Sequence, residues 1–268
     1  SDTDVTFADA MAVKTTFTMP ASPVSMSANY AYPTGTTFYV DSEGGDDSSE
    51  GTSADAPWKT LGKVNALTLK PGDRVLLKAG SVFEGQSLSL RGSGSGESPI
   101  VVDMYDGDTV GAQAGARPVI HANGVAKADF VIGREGDTGT TSRPGVAYGL
   151  HIKNMSHIRV SNLEITNTTG TRQMAVGVVV EAESGRGVVS GVHLDGLYVH
   201  DVYGTLTEKT APNGGIYIIT TAANGDVAHA TRYDDVSVEN CTVANVSRTG
   251  ISVGSSHSAY YWERHPGG

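Results

Sequence analysis

Acids, bases and aromatic rings recur at fixed places in four short segments that each open on glycine: GLHIKN (149–154), GVVVEA (177–182), GIYIIT (215–220) and GISVGS (250–255). Laid one above another, their alternate positions form two columns, His151/Val179/Tyr217/Ser252 and Lys153/Glu181/Ile219/Gly254. Glu181 is the one acid in these columns, and so the candidate for general acid/base or nucleophilic work. His151, Lys153 and Tyr217 would flank it, while Asn213, Arg248 and Trp262 lie in segments near the same edge. Rings that can lie against C–H faces, with amide and charged groups for hydroxyls, make a surface for a polyhydroxylated ligand. Competing readings are a solvated charge for Glu181 and, for Tyr260, Tyr261 and Trp262, a hydrophobic plug.

Other acidic positions read as structural. Asp201 follows His200 and precedes Tyr203, yet it aligns with Asn167 and Asn245, and a stacked Asn/Asp turn ladder accounts for it. Asp195 aligns with Ser161 and Glu239 at another corner. Asp234 and Asp235 are adjacent, so on a strand they point to opposite faces. Asp41, Glu43, Asp46 and Asp47 in DSEGGDD (41–47) offer enough carboxylates for Ca²⁺, which takes six to eight oxygens. They lack EF-hand spacing, and the alternative reading is a solvated turn. The eight histidines show no zinc spacing, and no phosphate- or dinucleotide-binding glycine motif is present. The expectation is that no metal and no cofactor is required.

The elements that position these residues are written as a repeat. HIRVSNLEITN (157–167), GVHLDGLYVHD (191–201) and DVSVENCTVAN (235–245) align without a gap. Ile158/Val192/Val236, Val160/Leu194/Val238, Leu163/Leu197/Cys241 and Ile165/Val199/Val243 are apolar, with mostly polar positions between them. That alternation marks two half-buried strands per unit. The phase resets at Asn162/Gly196/Asn240, residues that tolerate the left-handed conformation of a sharp corner. With the Gly-led strand, each repeat supplies three short strands and two corners, which is one coil of a parallel β-helix burying its apolar columns against its neighbours. Cys241 falls in an inward column and reads as a small core residue.

Residues 1–36 read as an irregular lead-in and 37–268 as the β-helix. In TTFYVDSEGGDDSSEGTSADAPWKTLGKV (36–64), a strand and an acidic loop lead to a short helix. Asp55 or Ser53 would cap it, Pro57 would sit in its first turn, and Trp58, Leu61 and Val64 would form its apolar face. Such a helix would cap the open end of the first coil. PGDRVLLKAG (71–80), QSLSL (86–90), PIVVDMYDG (99–107) and RPVIHANG (117–124) supply the early coils, and EGDTGTTSRPG (135–145) reads as a surface loop. After GISVGS the two strands that would complete a coil are missing, so a second polypeptide, fragment or chain, is expected to continue the stack.

Composition agrees with an all-β chain. There are 34 glycines in 268 residues, against roughly 19 at average usage. Net charge is −10, which disfavours nucleic acid and acidic polymers and suits a neutral ligand. No apolar run reaches membrane-spanning length.

The stretch TFYVDSEGGDDSSEGTSADAPWKTLGKVNALTLKPGDRVLLKAGSVFEG, followed by LSLRGSGSGESPIVVDMYDG, resembles the opening of secreted right-handed parallel β-helix proteins that act on carbohydrates, the pectate-lyase-like superfamily. With the later coils the resemblance spans residues 36–255, and it is similar most of all to glycoside hydrolase family 136, the lacto-N-biosidases. It implies an extracellular or cell-surface location and retaining hydrolysis of an oligosaccharide by two aspartates. No counterpart of the family's helical N-terminal domain is expected among residues 1–268. A polysaccharide lyase acting on a uronate polymer is the alternative, with His151, Lys153 and Arg248 as its groups, and a non-catalytic glycan-binding module is the third reading.

Overall fold

The computed structural model describes residues 35–133, 140–170, 173–206, 212–222 and 231–255. Its strands are short because each is interrupted by a corner, and they stack in three parallel sheets. The first sheet contains, in order, β1 (Thr37–Val40), β2 (Arg74–Lys78), β5 (Ile100–Asp106), β10 (Ile158–Ser161), β13 (Val188–Asp195) and β16 (Arg232–Glu239). The second runs β3 (Val82–Glu84), β7 (Val119–His121), β11 (Glu164–Thr168), β14 (Tyr198–Tyr203) and β17 (Thr242–Val246). The third runs β4 (Leu88–Leu90), β9 (Thr140–Lys153), β12 (Ala175–Glu183), β15 (Gly214–Thr221) and β18 (Thr249–Ser255). Two antiparallel additions are β6 (Thr109–Val110) on β5 and β8 (Lys127–Gly133) on β9. The architecture is the expected parallel β-helix.

Register follows the apolar columns. Val160 pairs with Leu194 and Leu194 with Val238, while Ile165, Val199 and Val243 stack in the second sheet. These side chains join one continuous core, in which Val160, Leu194, Ile165 and Val199 are fully buried. Coverage falls in the last described coil, where Ile251 is 49% and Val253 77% exposed. Cys241 packs against the core as expected, and burial pushes its thiol up.

Three of the four leading glycines, Gly149, Gly177 and Gly215, are required by space. A Cβ on Gly149 would stand 2.5 Å from Ile165 Cγ2, and one on Gly215 would stand 2.4 Å from both the Gly250 oxygen and Val243 Cγ1. Asn162, Gly196 and Asn240 all take left-handed φ values of 58°, 67° and 52°. Asn162 Nδ2 donates to Asp103 Oδ1 at 2.9 Å and Asn240 Nδ2 to Asp195 Oδ1 at 2.8 Å, a ladder that ties successive coils and gives Asp195 its structural role.

Three local expectations are corrected. Helix α1 spans only Leu61–Asn65 and is preceded by Thr60 rather than capped by Asp55 or Ser53. Ser53 and Asp55 instead lie in a turn over residues 53–56, closed by the Ala56 amide donating to the Ser53 oxygen, after which Trp58 bridges to Val40 and stacks on Phe38 at 5.2 Å. Trp58, Leu61 and Val64 are nonetheless buried in the core, as the apolar face demanded. Residues 140–145 are not a loop but the first part of β9, paired with β8. The Asn167/Asp201/Asn245 column breaks between the first two members. Asn167 pairs with Val202 after a register shift, leaving Asp201 as an extra, bulged residue with φ 50°.

Candidate functional site

The outward columns of the third sheet align as expected: His151, Val179, Tyr217 and Ser252 are successive partners, as are Lys153, Glu181, Ile219 and Gly254. The face they share is roofed, however, rather than open. The β8–β9 hairpin folds over it, and Phe130, Ile132 and Val146 pack with Val176, Val179, Tyr217 and Ile219 in a second apolar layer. The Ala222 amide donates to the Val131 oxygen at 2.7 Å, tying the hairpin to the end of β15.

Glu181 lies under this roof at 2% exposure. Its Oε2 is 2.8 Å from His151 Nε2, and its Oε1 accepts from Thr221 Oγ1 at 2.7 Å. Phe130 and Tyr148 close over the imidazole with ring centroids at 5.7 and 5.1 Å. A carboxylate this deep persists only with partners, and a third one leads outward. Lys153 Nζ stands 3.8 Å from Glu181 and 2.9 Å from Glu183, whose other oxygen accepts from Asn154 Nδ2 at 2.7 Å and lies 3.7 Å from Arg186. Burial works against charge on both Lys153 and Glu183. Their mutual pairing outweighs it, so the ammonium is held above its ordinary value and the carboxyl below. Across the core, the Tyr233 hydroxyl donates to the Val180 and Ile219 carbonyls at 3.1 Å each. Burial, then the charge of Glu181, drives that phenol far up.

The remaining sequence candidates scatter. Tyr217 joins the second apolar layer. Asn213 is fully buried, donates to the Thr205 oxygen and accepts from the Ala175 amide. Arg248 is exposed and donates to the Leu206 oxygen at 3.3 Å. Trp262 lies outside the described residues, as do Tyr260 and Tyr261. Glu183 was missed because it falls just past the four aligned segments. The carboxylates of the acidic loop turn to their own backbone: Asp41 accepts from the Glu43 and Gly44 amides, Asp46 from Ser48, and Asp47 from the Lys59 and Thr60 amides and the Thr60 hydroxyl. Among the described residues no group of three or more His, Cys, Asp or Glu is placed to hold a metal.

A second polar cluster stands on the outer face of the second sheet. His200 Nδ1 meets Asp201 Oδ2 at 2.8 Å and its Nε2 meets Glu164 Oε1 at 3.1 Å. Tyr203 OH donates to Asp201 Oδ1 at 2.8 Å, and Tyr198 stacks on the imidazole at 4.1 Å. Hydrogen bonds from His200 and then Tyr203 hold the Asp201 carboxyl below its ordinary value.

No family model matches the chain. The lacto-N-biosidase of Bifidobacterium longum subsp. longum is 37% identical over 296 aligned residues, covering 94% of this chain and 18% of that protein. The native crystal structure of the GH136 lacto-N-biosidase from Eubacterium ramulus superposes with a TM-score of 0.74 at 35% identity, over 86% of this chain and 38% of the other. This chain is related to the family 136 lacto-N-biosidases. The selenomethionine derivative of the Eubacterium ramulus enzyme matches likewise, at a TM-score of 0.72 and 34% identity. The chain thus spans under a fifth of the curated lacto-N-biosidase and just over a third of the solved ones. Neither comparison supports a separate second polypeptide. No helix among the described residues is long and apolar enough to cross a membrane.

Proposed function

We propose that this chain is the β-helical part of a glycoside hydrolase that acts on a neutral oligosaccharide, as the name lacto-N-biosidase denotes for its relatives, and that it works outside the cell or at its surface. The observation that carries this reading is 37% identity to a lacto-N-biosidase across 94% of this chain. The net charge of −10 favours a neutral substrate over a uronate polymer.

A retaining mechanism needs two carboxylates about 5–5.5 Å apart. Glu181 and Glu183, alternate residues at the end of β12 joined through Lys153, are taken as the candidate carboxylates of this chain, in place of the two aspartates that the resemblance implies. Substrate would approach at the rim where Lys153, Glu183 and Arg186 surface. Incubating the protein with a lacto-N-biose-terminated oligosaccharide should release the disaccharide without an ultraviolet-absorbing unsaturated product. Glu181→Gln and Glu183→Gln should each lower kcat by about 10²-fold or more. Release of an unsaturated product would replace hydrolysis with elimination, and wild-type turnover in both variants would remove the two glutamates from the chemistry.

A further inference from the structure

Glu181, on which the hydrolase reading relies, is out of reach in the conformation described. It is 2% exposed and its partner His151 5%, whereas a carboxylate that cleaves a sugar has to touch it. Stability does not call for such a pair, because well-packed apolar residues in its place are often as stable or more so. His151 Nε2 is taken up by Glu181 Oε2 at 2.8 Å, and Nδ1 meets no partner among the described residues.

What covers the pair is one hairpin with a break in its pairing. β8 and β9 pair in register at Lys127/Ala147 and Ala128/Val146, and again from Phe130/Arg143 to Gly133/Thr140. Between these runs Asp129 faces Pro144 and Gly145, and Gly145 takes φ 68°. The Asp129 carboxylate accepts from the Gly145 amide at 2.7 Å, which fixes the bulge, and bulges re-aim a strand. On the near side of the break Ala147 belongs to the stack, paired with Ala175 of β12. On the far side Phe130 and Ile132 lie in the second apolar layer, and the Val131 oxygen accepts from the Ala222 amide. Apolar contact has no preferred direction, so it can part and re-form.

We propose that the far half of this hairpin, Phe130–Gly133 with Thr140–Arg143, is a lid that turns about Asp129 and Gly145 and admits the sugar to Glu181. Lifting it takes Phe130 off the His151 ring and opens the face between Lys153 and Tyr217, while β9 and β12 keep their register. Closing it returns the carboxylate to a site from which water is excluded, where charge interactions are strongest. The inference rests on the hydrolase reading for its purpose, but the opening itself is measured without turnover.

Diethyl pyrocarbonate acylates accessible imidazoles, and its attack on His151 can be mapped by mass spectrometry against the part-exposed His193. In dilute urea the His151 rate should barely change with denaturant, as an opening that exposes little surface requires. Phe130→Ala should raise that rate about 10²-fold relative to His193. A His151 rate that follows global unfolding in urea, or that Phe130→Ala leaves unchanged, overturns the lid. Should Phe130→Ala fail to fold, the urea dependence of the wild type decides. A disulfide between Val131→Cys and Ala222→Cys should then cut turnover of a lacto-N-biose-terminated oligosaccharide about tenfold or more, with recovery on reduction. Full turnover with that bridge closed overturns the proposal as well, since the sugar would reach Glu181 under a fastened lid. Absence of turnover in the wild type sinks the hydrolase reading instead. In that case, or if the bridge does not form, the labelling decides whether the hairpin opens.

Discussion

A methyl group added at Gly177 has nowhere to go. A Cβ there would stand 2.3 Å from Val199 Cγ1, 3.0 Å from the Gly215 carbonyl oxygen and 3.2 Å from Val202 Cγ2. Both valines are fully buried on β14 and are stiff at χ1, so neither can swing aside into a filled interior. Overpacking of this kind costs about 1–3 kcal/mol, and walls on two sides place Gly177→Ala in the upper half. The lower backbone entropy of the unfolded alanine chain returns about 0.4–1 kcal/mol. The net loss is about 1–2.6 kcal/mol, a fall of roughly 2–10 °C in Tm for a chain of this size. Gly250, in the same column one coil beyond Gly215, would meet nothing within 4 Å. Gly250→Ala keeps the entropy gain alone and should be neutral or slightly stabilising. Thermal and urea melts of both variants, followed by far-UV circular dichroism, make the comparison. If the two substitutions shift Tm equally, the columns are not filled as described.

Two further outcomes are expected. Phe130→Ala removes the ring at the centre of the second apolar layer and should cost about 3 kcal/mol. Hydrogen exchange should show the loss confined to the β8–β9 hairpin and the outward face beneath it, and equal deprotection of β10 and β13 would contradict a separate layer. Asp47 gives an acid dependence. Burial alone would raise its carboxyl, but hydrogen bonds from Thr60 and the Lys59 amide outweigh it and hold the group below its ordinary 3.8. A carboxyl lowered on folding contributes stability above pH 3.8, which is lost as pH falls through the lower folded value. Melting temperatures taken from about pH 6 to about pH 2 should therefore fall more steeply in the wild type than in Asp47→Asn. Parallel curves would mean that the loop carboxylate does not stabilise the helix entry.

The coils were legible because strand alternation and corner residues are local signals. Val160, Leu194 and Val238 announce a column, and Asn162, Gly196 and Asn240 announce the bend beside it. The bulge at Asp201 left no mark, since Asn167, Asp201 and Asn245 align in sequence whether or not one coil carries an extra residue. The roof over Glu181 was harder still. Residues 125–148 carry Gly and Thr turns and lack a sustained period, so the pairing of β8 with the start of β9 was invisible. The outward columns did hold the clue: Val179, Tyr217 and Ile219 are too apolar for a face left in water. The ring of contacts around His200 joins residues of two different coils, and only the stacking register brings Glu164 to it.

The hairpin over the third sheet also changes how the molecule should come apart. A one-dimensional array couples each unit only to the next, so it can fray from its ends one unit at a time. Here a single flap begins in the coil of β9, packs across β12 and is hydrogen-bonded to the segment after β15. Three consecutive turns are thereby stapled together, and they should melt as one block while the coils on either side loosen independently.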